Sequence, residues 1–104
     1  MLELKKEFKK KGIQFTQVYK DGTLAIYRLD EEYDNGTHGT WYEAFYVQVR
    51  PKSTFYPEPY EKYPRDEDFG TNAWSCSDKR SLERILKENF PDYVGKYDEI
   101  LRIC

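Results

Sequence analysis

Hydrophobic and polar positions change period several times along the chain, and each change marks an element. In LELKKEFKKKG, Leu4 and Phe8 stand four apart, Glu3 is placed to meet Lys6, Glu7 to meet Lys11, and Gly12 closes the segment. This spacing predicts a short amphipathic helix with lysines gathered at its negative end. From Ile13 the period falls to two. IQFTQVYKDGTLAIYRL predicts two strands joined at Asp21-Gly22 by a type I′ turn, whose central residues both take positive φ. If Lys20 faces Thr23, the register sets Ile13, Phe15, Tyr19, Leu24 and Ile26 on a core face. The opposite face, with Val18, Ala25, Tyr27 and Leu29, is too apolar to stand in water and requires partial cover.

An acidic, glycine-containing connection, DEEYDNGTHG, precedes the alternating run TWYEAFYVQVR. The run predicts a third strand with Trp41, Glu43, Phe45, Val47 and Val49 on one side and Tyr42, Ala44, Tyr46 and Gln48 on the other. Residues 51–68 hold four of the five prolines, so an extended, ordered loop is expected there, with its tyrosines lying on the domain. Ala73 to Cys76 reads as a short strand. SDKRSLERILKENFP then gives the clearest helix, with Ser77 or Asp78 as N-cap, Leu82, Ile85, Leu86 and Phe90 at helical spacing, and Pro91 as its stop. In the tail, Tyr97, Ile100, Leu101 and Cys104 fit a helix while LRIC fits an edge strand; the strand is preferred. The whole, 1–104, is expected to be a single α+β domain. Its three- to four-stranded antiparallel sheet would carry a short N-terminal helix and a longer helix from the C-terminal half.

Composition supports one core rich in aromatic residues. Only 38% of the 104 residues are hydrophobic, yet 17% are aromatic, and each buried ring removes about 150–250 Å² from water. Phe15, Trp41, Phe45 and Trp74 are the expected core rings. With 17 basic against 19 acidic residues, no global field favours nucleic acid. The charge is nevertheless uneven: Lys5, Lys6, Lys9, Lys10 and Lys11 make the start basic, while 28–34 and 58–68 are acidic. Cys76 and Cys104 do not form a C-x-x-C pair, which argues against redox or zinc chemistry. The first twelve residues lack the apolar stretch of a signal peptide, and no apolar run approaches the roughly 20 residues that span a bilayer. The expectation is a cytoplasmic protein with reduced thiols, in which the N-x-T at Asn35 is an accidental match.

Candidate chemistry is sparse. His38, the single histidine, lies in a glycine-flanked loop. Cys76, between a strand and a helix, occupies a position where backbone amides can activate a thiol, although a small buried strand-end residue is the commoner reading. Glu43 shares the apolar side of its strand and is expected to meet an arginine such as Arg28. In the acidic loop, taking Gly36 as the sixth position of a calcium loop puts Tyr33 at the third, which breaks the ligand pattern. No cofactor or metal is therefore expected. Aromatic excess without chemistry points to a binding surface. Phe55, Tyr56, Tyr60 and Tyr63 form the preferred patch for a protein partner, because tyrosine combines contact area with a hydrogen-bonding tip. The alternative is a nucleic-acid module using Lys5, Lys6, Lys9, Lys10 and Lys11 with sheet tyrosines such as Tyr19, Tyr27 and Tyr46 as stacking platforms.

YEAFYV at 42–47, YPRDEDFGTNAW at 63–74 and SLERIL at 81–86 occur in an order that resembles small uncharacterised proteins of bacteriophages and bacterial mobile elements. The resemblance covers the middle and C-terminal half. It implies an accessory protein and brings no catalytic residues with it.

Overall fold

The computed structural model describes residues Met1–Cys104. Seven strands and two α-helices follow in the order β1 (Glu7–Lys10), β2 (Ile13–Lys20), β3 (Leu24–Glu32), β4 (His38–Tyr46), β5 (Gln48–Arg50), β6 (Tyr60–Lys62), β7 (Ala73–Cys76), α1 (Lys79–Asn89) and α2 (Tyr97–Ile103). Five strands form one antiparallel sheet in the order β1-β2-β3-β4-β7, and β5 with β6 form a separate two-stranded ribbon. The architecture is α+β, with more strands than the sequence predicts.

The expected N-terminal helix is instead strand β1. Lys11 and Gly12 both take positive φ, 52° and 80°, and close a two-residue turn between β1 and β2. Phe8 then lies opposite Phe15, and the two rings stack with centroids 4.4 Å apart. An isolated helix of about ten residues is marginal in water, so packing of Phe8 on the sheet decides the outcome. Lys5, Lys6, Lys9, Lys10 and Lys11 thus flank or belong to an edge strand, where exposed lysines discourage edge-to-edge pairing.

The hairpin between β2 and β3 exists, but without the type I′ turn. Gly22 is not in the positive-φ region. The Asp21 carboxylate accepts from the backbone N–H groups of Thr23 at 2.7 Å and Leu24 at 2.9 Å, so a side-chain turn closes the loop. Lys20 pairs with Ala25 and Tyr19 with Ile26, and a register shift between Gln17 and Tyr19 turns Phe15 to face Leu29. The predicted single core face is therefore split. Leu24, Ile26 and Tyr19 face the helices, whereas Phe15 and Ile13 share the other side with Ala25, Tyr27 and Leu29.

Both faces of the sheet are covered. On one, Leu24, Ile26, Tyr42 and Ala44 pack against Leu82, Ile85, Leu86 and Phe90, the periodic residues of α1 and its C-cap. Each fully buried aliphatic side chain contributes about 1.5–3 kcal/mol. Asp78 caps α1 by accepting from Ser81 N–H at 2.7 Å. The tail forms helix α2, not an edge strand: Ile100 is buried in the same core, and the Tyr97 hydroxyl donates to the Phe90 carbonyl at 2.9 Å. On the second face, Leu4, Phe8, Tyr63 and Phe69 pack over Phe15, Tyr27, Leu29 and Phe45. Of the expected core rings, Phe15 and Phe45 are buried, and Trp41 and Trp74 are partly buried on opposite faces.

The run predicted as a single third strand divides at Val47. β4 ends at Tyr46, and Gln48–Arg50 leaves the main sheet to pair with Tyr60–Lys62. The proline-rich segment consequently contains a three-residue strand, placed between Pro59 and Pro64 where every residue retains its N–H donor.

Candidate functional site

The second face of the sheet carries the site. The N-terminal segment crosses it, pinned at Lys5 by the Tyr27 hydroxyl, which donates to the Lys5 carbonyl at 2.6 Å. The ribbon β5–β6 lies beside that segment: Leu2 N–H donates to Pro59 at 2.9 Å, Glu61 N–H donates to Leu2 at 2.8 Å, and Leu4 N–H donates to Glu61 Oε1 at 3.0 Å. Glu61 also pairs with Lys20 Nζ at 3.2 Å, which compensates a carboxylate that is almost wholly buried. These bonds hold a proline-rich segment that has no hydrophobic period of its own.

Two adjoining grooves result. The first, of about 750 Å³, has Leu2, Tyr56 and Tyr60 in its lining together with Lys5, Lys9 and Lys10 and the carboxylates of Glu3 and Glu61. The second, of about 580 Å³, is walled by Phe8, Ile13, Phe15, Leu29, Trp41 and Phe69, with Glu43 in its lining. Phe8, Lys10, Lys62, Tyr63 and Arg65 line both, so the two meet along that strip.

Of the four residues expected to form a partner-binding patch, two are exposed and Tyr60 is half-buried beneath one of them. Phe55 is 89% exposed and Tyr56 41% exposed. Tyr56 stacks on Tyr60 with centroids 3.9 Å apart and planes 17° from parallel. Reciprocal backbone hydrogen bonds between Ser53 and Tyr56, at 2.8 and 3.2 Å, close the loop that presents them. Tyr63 does not belong with them. Its ring packs edge-on against Phe8, Phe15, Tyr27 and Phe45 inside the second core. Its hydroxyl reaches Glu43 Oε1 at 2.6 Å.

That contact also corrects the partner expected for Glu43. Arg28 lies opposite Tyr42, on the helix-covered face, and pairs with Asp30 at 3.1 Å. Burial raises the Glu43 pKa above its ordinary value, while hydrogen bonding by Tyr63 and the adjacent Trp41 opposes the shift. The Tyr63 hydroxyl is in turn pushed far up by burial and by the neighbouring carboxylate.

The other candidate residues do not join this site. Cys76 lies opposite Tyr42 on the helix-covered face, while Glu43 and Ser75 face the other way. His38 is exposed at the start of β4, five strand residues and so roughly 17 Å from Glu43. The three side chains that an enzyme reading would need are thus dispersed. Burial pushes the thiols of Cys76 and Cys104 up to about 11, the reverse of what a nucleophile requires. No three His, Cys, Asp or Glu side chains converge as metal ligands. No helix is long and apolar enough to cross a membrane.

A further polar cluster lay outside the sequence expectations. Asp21 accepts from the hydroxyls of Tyr19 at 2.8 Å and Tyr93 at 2.6 Å, joining the hairpin loop to the turn after α1. The Asp-Gly pair pointed only to a turn, and nothing in the sequence marks a partner 72 residues away.

Comparison with protein-family models, with curated proteins and with solved structures gives no match for this chain.

Proposed function

We propose that this chain is a non-enzymatic accessory protein that binds a protein partner through the surface formed by Leu2, Phe55, Tyr56 and Tyr60. One observation carries the reading: a phenylalanine that is 89% exposed stands at the tip of a loop fixed by its own backbone hydrogen bonds, beside a stacked tyrosine pair. Exposed aromatic groups on an ordered support lose little conformational entropy when they are covered, which is the property of a binding hot spot. The bacteriophage or mobile-element setting is supported by the resemblance of 42–47, 63–74 and 81–86 alone.

Nucleic-acid binding is the second reading, favoured by one specific feature. Lys5, Lys9, Lys10, Lys62 and Arg65 line the same groove as Tyr56 and Tyr60, so cations and stacking surfaces adjoin as a single-stranded ligand requires. Lys6 and Lys11 are not part of that lining.

Affinity capture with the wild-type protein and with Tyr56→Ala/Tyr60→Ala and Phe55→Ala tests the first reading. A specific protein partner is expected, with capture reduced at least about tenfold in the variants, as for loss of a hot spot. Undiminished capture by all variants would remove this surface from the proposal. Single-stranded oligonucleotide binding that weakens steeply with salt and disappears in Lys9→Ala/Lys10→Ala would select the second reading.

A further inference from the structure

The groove around Glu43 has features that a surface for a protein partner does not need. It is a cleft of about 580 Å³, within the size range of small-molecule sites, and its walls include the rings of Phe8, Phe15, Trp41 and Phe69. A carboxylate, Glu43, lies among them with one oxygen engaged by Tyr63. Three cations, Lys10, Lys62 and Arg65, belong to the same lining, against one further carboxylate, Asp66. Neither Lys10 nor Lys62 has an acidic partner within ion-pair distance, and Arg65 has only the exposed Glu67, at 3.8 Å. Desolvation and the neighbouring charges of Arg65 and Arg50 lower the pKa of Lys62, and the nearby carboxylates of Asp68 and Glu67 oppose the shift without cancelling it.

We propose that this cleft binds a small aromatic acid, a planar ring carrying an O–H or N–H donor for Glu43 and an anionic group for Lys10, Lys62 and Arg65. Each element of the ligand answers a group in the cleft. The ring fills the space between aromatic walls, where offset or edge-on contacts are favourable. Its donor adds to those of Tyr63 and Trp41 on Glu43, since an ionised carboxylate has about four acceptor positions. Its anion gives Lys10 and Lys62 the direct ionic partner that neither has, and the surrounding carboxylates only partly offset the repulsion among the cations. A free hydroxyaryl carboxylate and a nucleoside monophosphate share this chemistry, differing in ring and anion. The inference is independent of partner capture, because Phe55 and Tyr56 do not line this cleft.

The protein carries two tryptophans, and only Trp41 lines the cleft; Trp74 packs against Tyr46 and Phe90 under the helices. Their two indole N–H signals in a nitrogen–proton correlation spectrum, assigned with Trp74→Phe, therefore separate binding in the cleft from general effects. Titration with 4-hydroxyphenylacetate and with GMP is expected to move the Trp41 signal saturably and leave Trp74 in place. Phenylacetate, which lacks the donor, and 4-methylphenol, which lacks the anion, should each bind about tenfold more weakly, as should 4-hydroxyphenylacetate to Lys62→Ala/Arg65→Ala. Tighter binding of GMP than of 4-hydroxyphenylacetate supports the same site and assigns its anion to phosphate. Absence of a saturable Trp41 shift with both acids at millimolar concentration overturns the proposal. So does equal binding of 4-methylphenol, which would mark the cleft as a merely apolar surface.

Discussion

The Tyr63 hydroxyl donates to Glu43 Oε1 at 2.6 Å, fastening the proline-rich segment to the fourth strand of the main sheet. Burial raises the Glu43 pKa above its ordinary 4.5, and the hydrogen bond from Tyr63 opposes that rise. A carboxyl group whose folded pKa is raised contributes its full stability below the ordinary value and loses it as pH rises through the folded value. Glu43→Gln, which keeps an acceptor for Tyr63 and removes the charge, is therefore expected to raise the urea midpoint at pH 7 and leave it unchanged at pH 4. Tyr63→Phe keeps the ring and removes the donor. It should cost about 1–3 kcal/mol at pH 7, where a buried carboxylate loses its partner, and less at pH 4. Equal losses at both pH values would show that the bond does not serve the charged form.

This pair also shows where sequence reasoning reached its limit. Alternation along 40–46 places Glu43 on an apolar side, because a strand's period of two assigns faces without knowledge of the fold. Tyr63 returns from 20 residues away through a segment with no period, so nothing local distinguishes it from Tyr56, which stays exposed, or from Tyr60, which lies half-buried beneath Tyr56 outside the second core. At the N-terminus the limit is a degeneracy. The four-residue spacing of Leu4 and Phe8 suits a helix, but the Lys11-Gly12 turn and the stacking of Phe8 on Phe15 favour a strand. Helix α1 was legible because its cap, its period and its proline stop all agree. The apolar character of Ala25, Tyr27 and Leu29 likewise indicated that the second face needed cover, and the N-terminal segment and Tyr63 supply it.

Asp21 should carry much of the acid sensitivity. Burial pushes its pKa up, but hydrogen bonds from Leu24, Tyr93, Thr23 and Tyr19 together outweigh it and hold the carboxyl below its ordinary 3.8. A depressed carboxylate contributes stability above the ordinary value and loses it as pH falls through the folded one. Asp21→Ala is expected to cost about 2–3 kcal/mol at pH 7, since charge-assisted bonds are lost and two tyrosine hydroxyls are left without their acceptor. Tyr93→Phe should cost about 1 kcal/mol. Urea unfolding from pH 7 to pH 2 checks both, and the gap between wild type and Asp21→Ala should narrow at the acid end. A constant gap would contradict the role given to this carboxylate.

The cysteines should be slow to react. With both thiols pushed up to about 11 by burial, the thiolate fraction at pH 7.5 is far below that of a free cysteine, roughly 100-fold or more. Iodoacetamide labelling followed by mass spectrometry is expected to modify Cys76 and Cys104 at least about 100-fold more slowly in the native protein than in urea. Native labelling within a few-fold of the unfolded rate would mean that these side chains are not held against the helix-side core as the structure places them.

Glu61 links the stability of the second face to the proposed binding surface. It lies next to Tyr60, its side chain is 4% exposed, and it receives Leu4 N–H at 3.0 Å and Lys20 Nζ at 3.2 Å. Lys20→Met would leave this carboxylate buried with only the backbone donor, at a cost of about 3 kcal/mol, because breaking a buried pair strands the remaining charge. Glu61→Gln retains an acceptor for Leu4 N–H and should cost less, about 1–2 kcal/mol. Combined with Lys20→Met it should recover part of the loss, a non-additivity that a double-mutant cycle measures directly. The β5–β6 ribbon also holds Tyr60 under Tyr56. Lys20→Met is therefore expected to speed amide exchange at Leu2, Leu4 and Glu61 and to weaken partner capture, although neither tyrosine is altered. Faster exchange with capture unchanged would separate the ribbon's anchorage from binding and confine the surface to the loop that carries Phe55 and Tyr56.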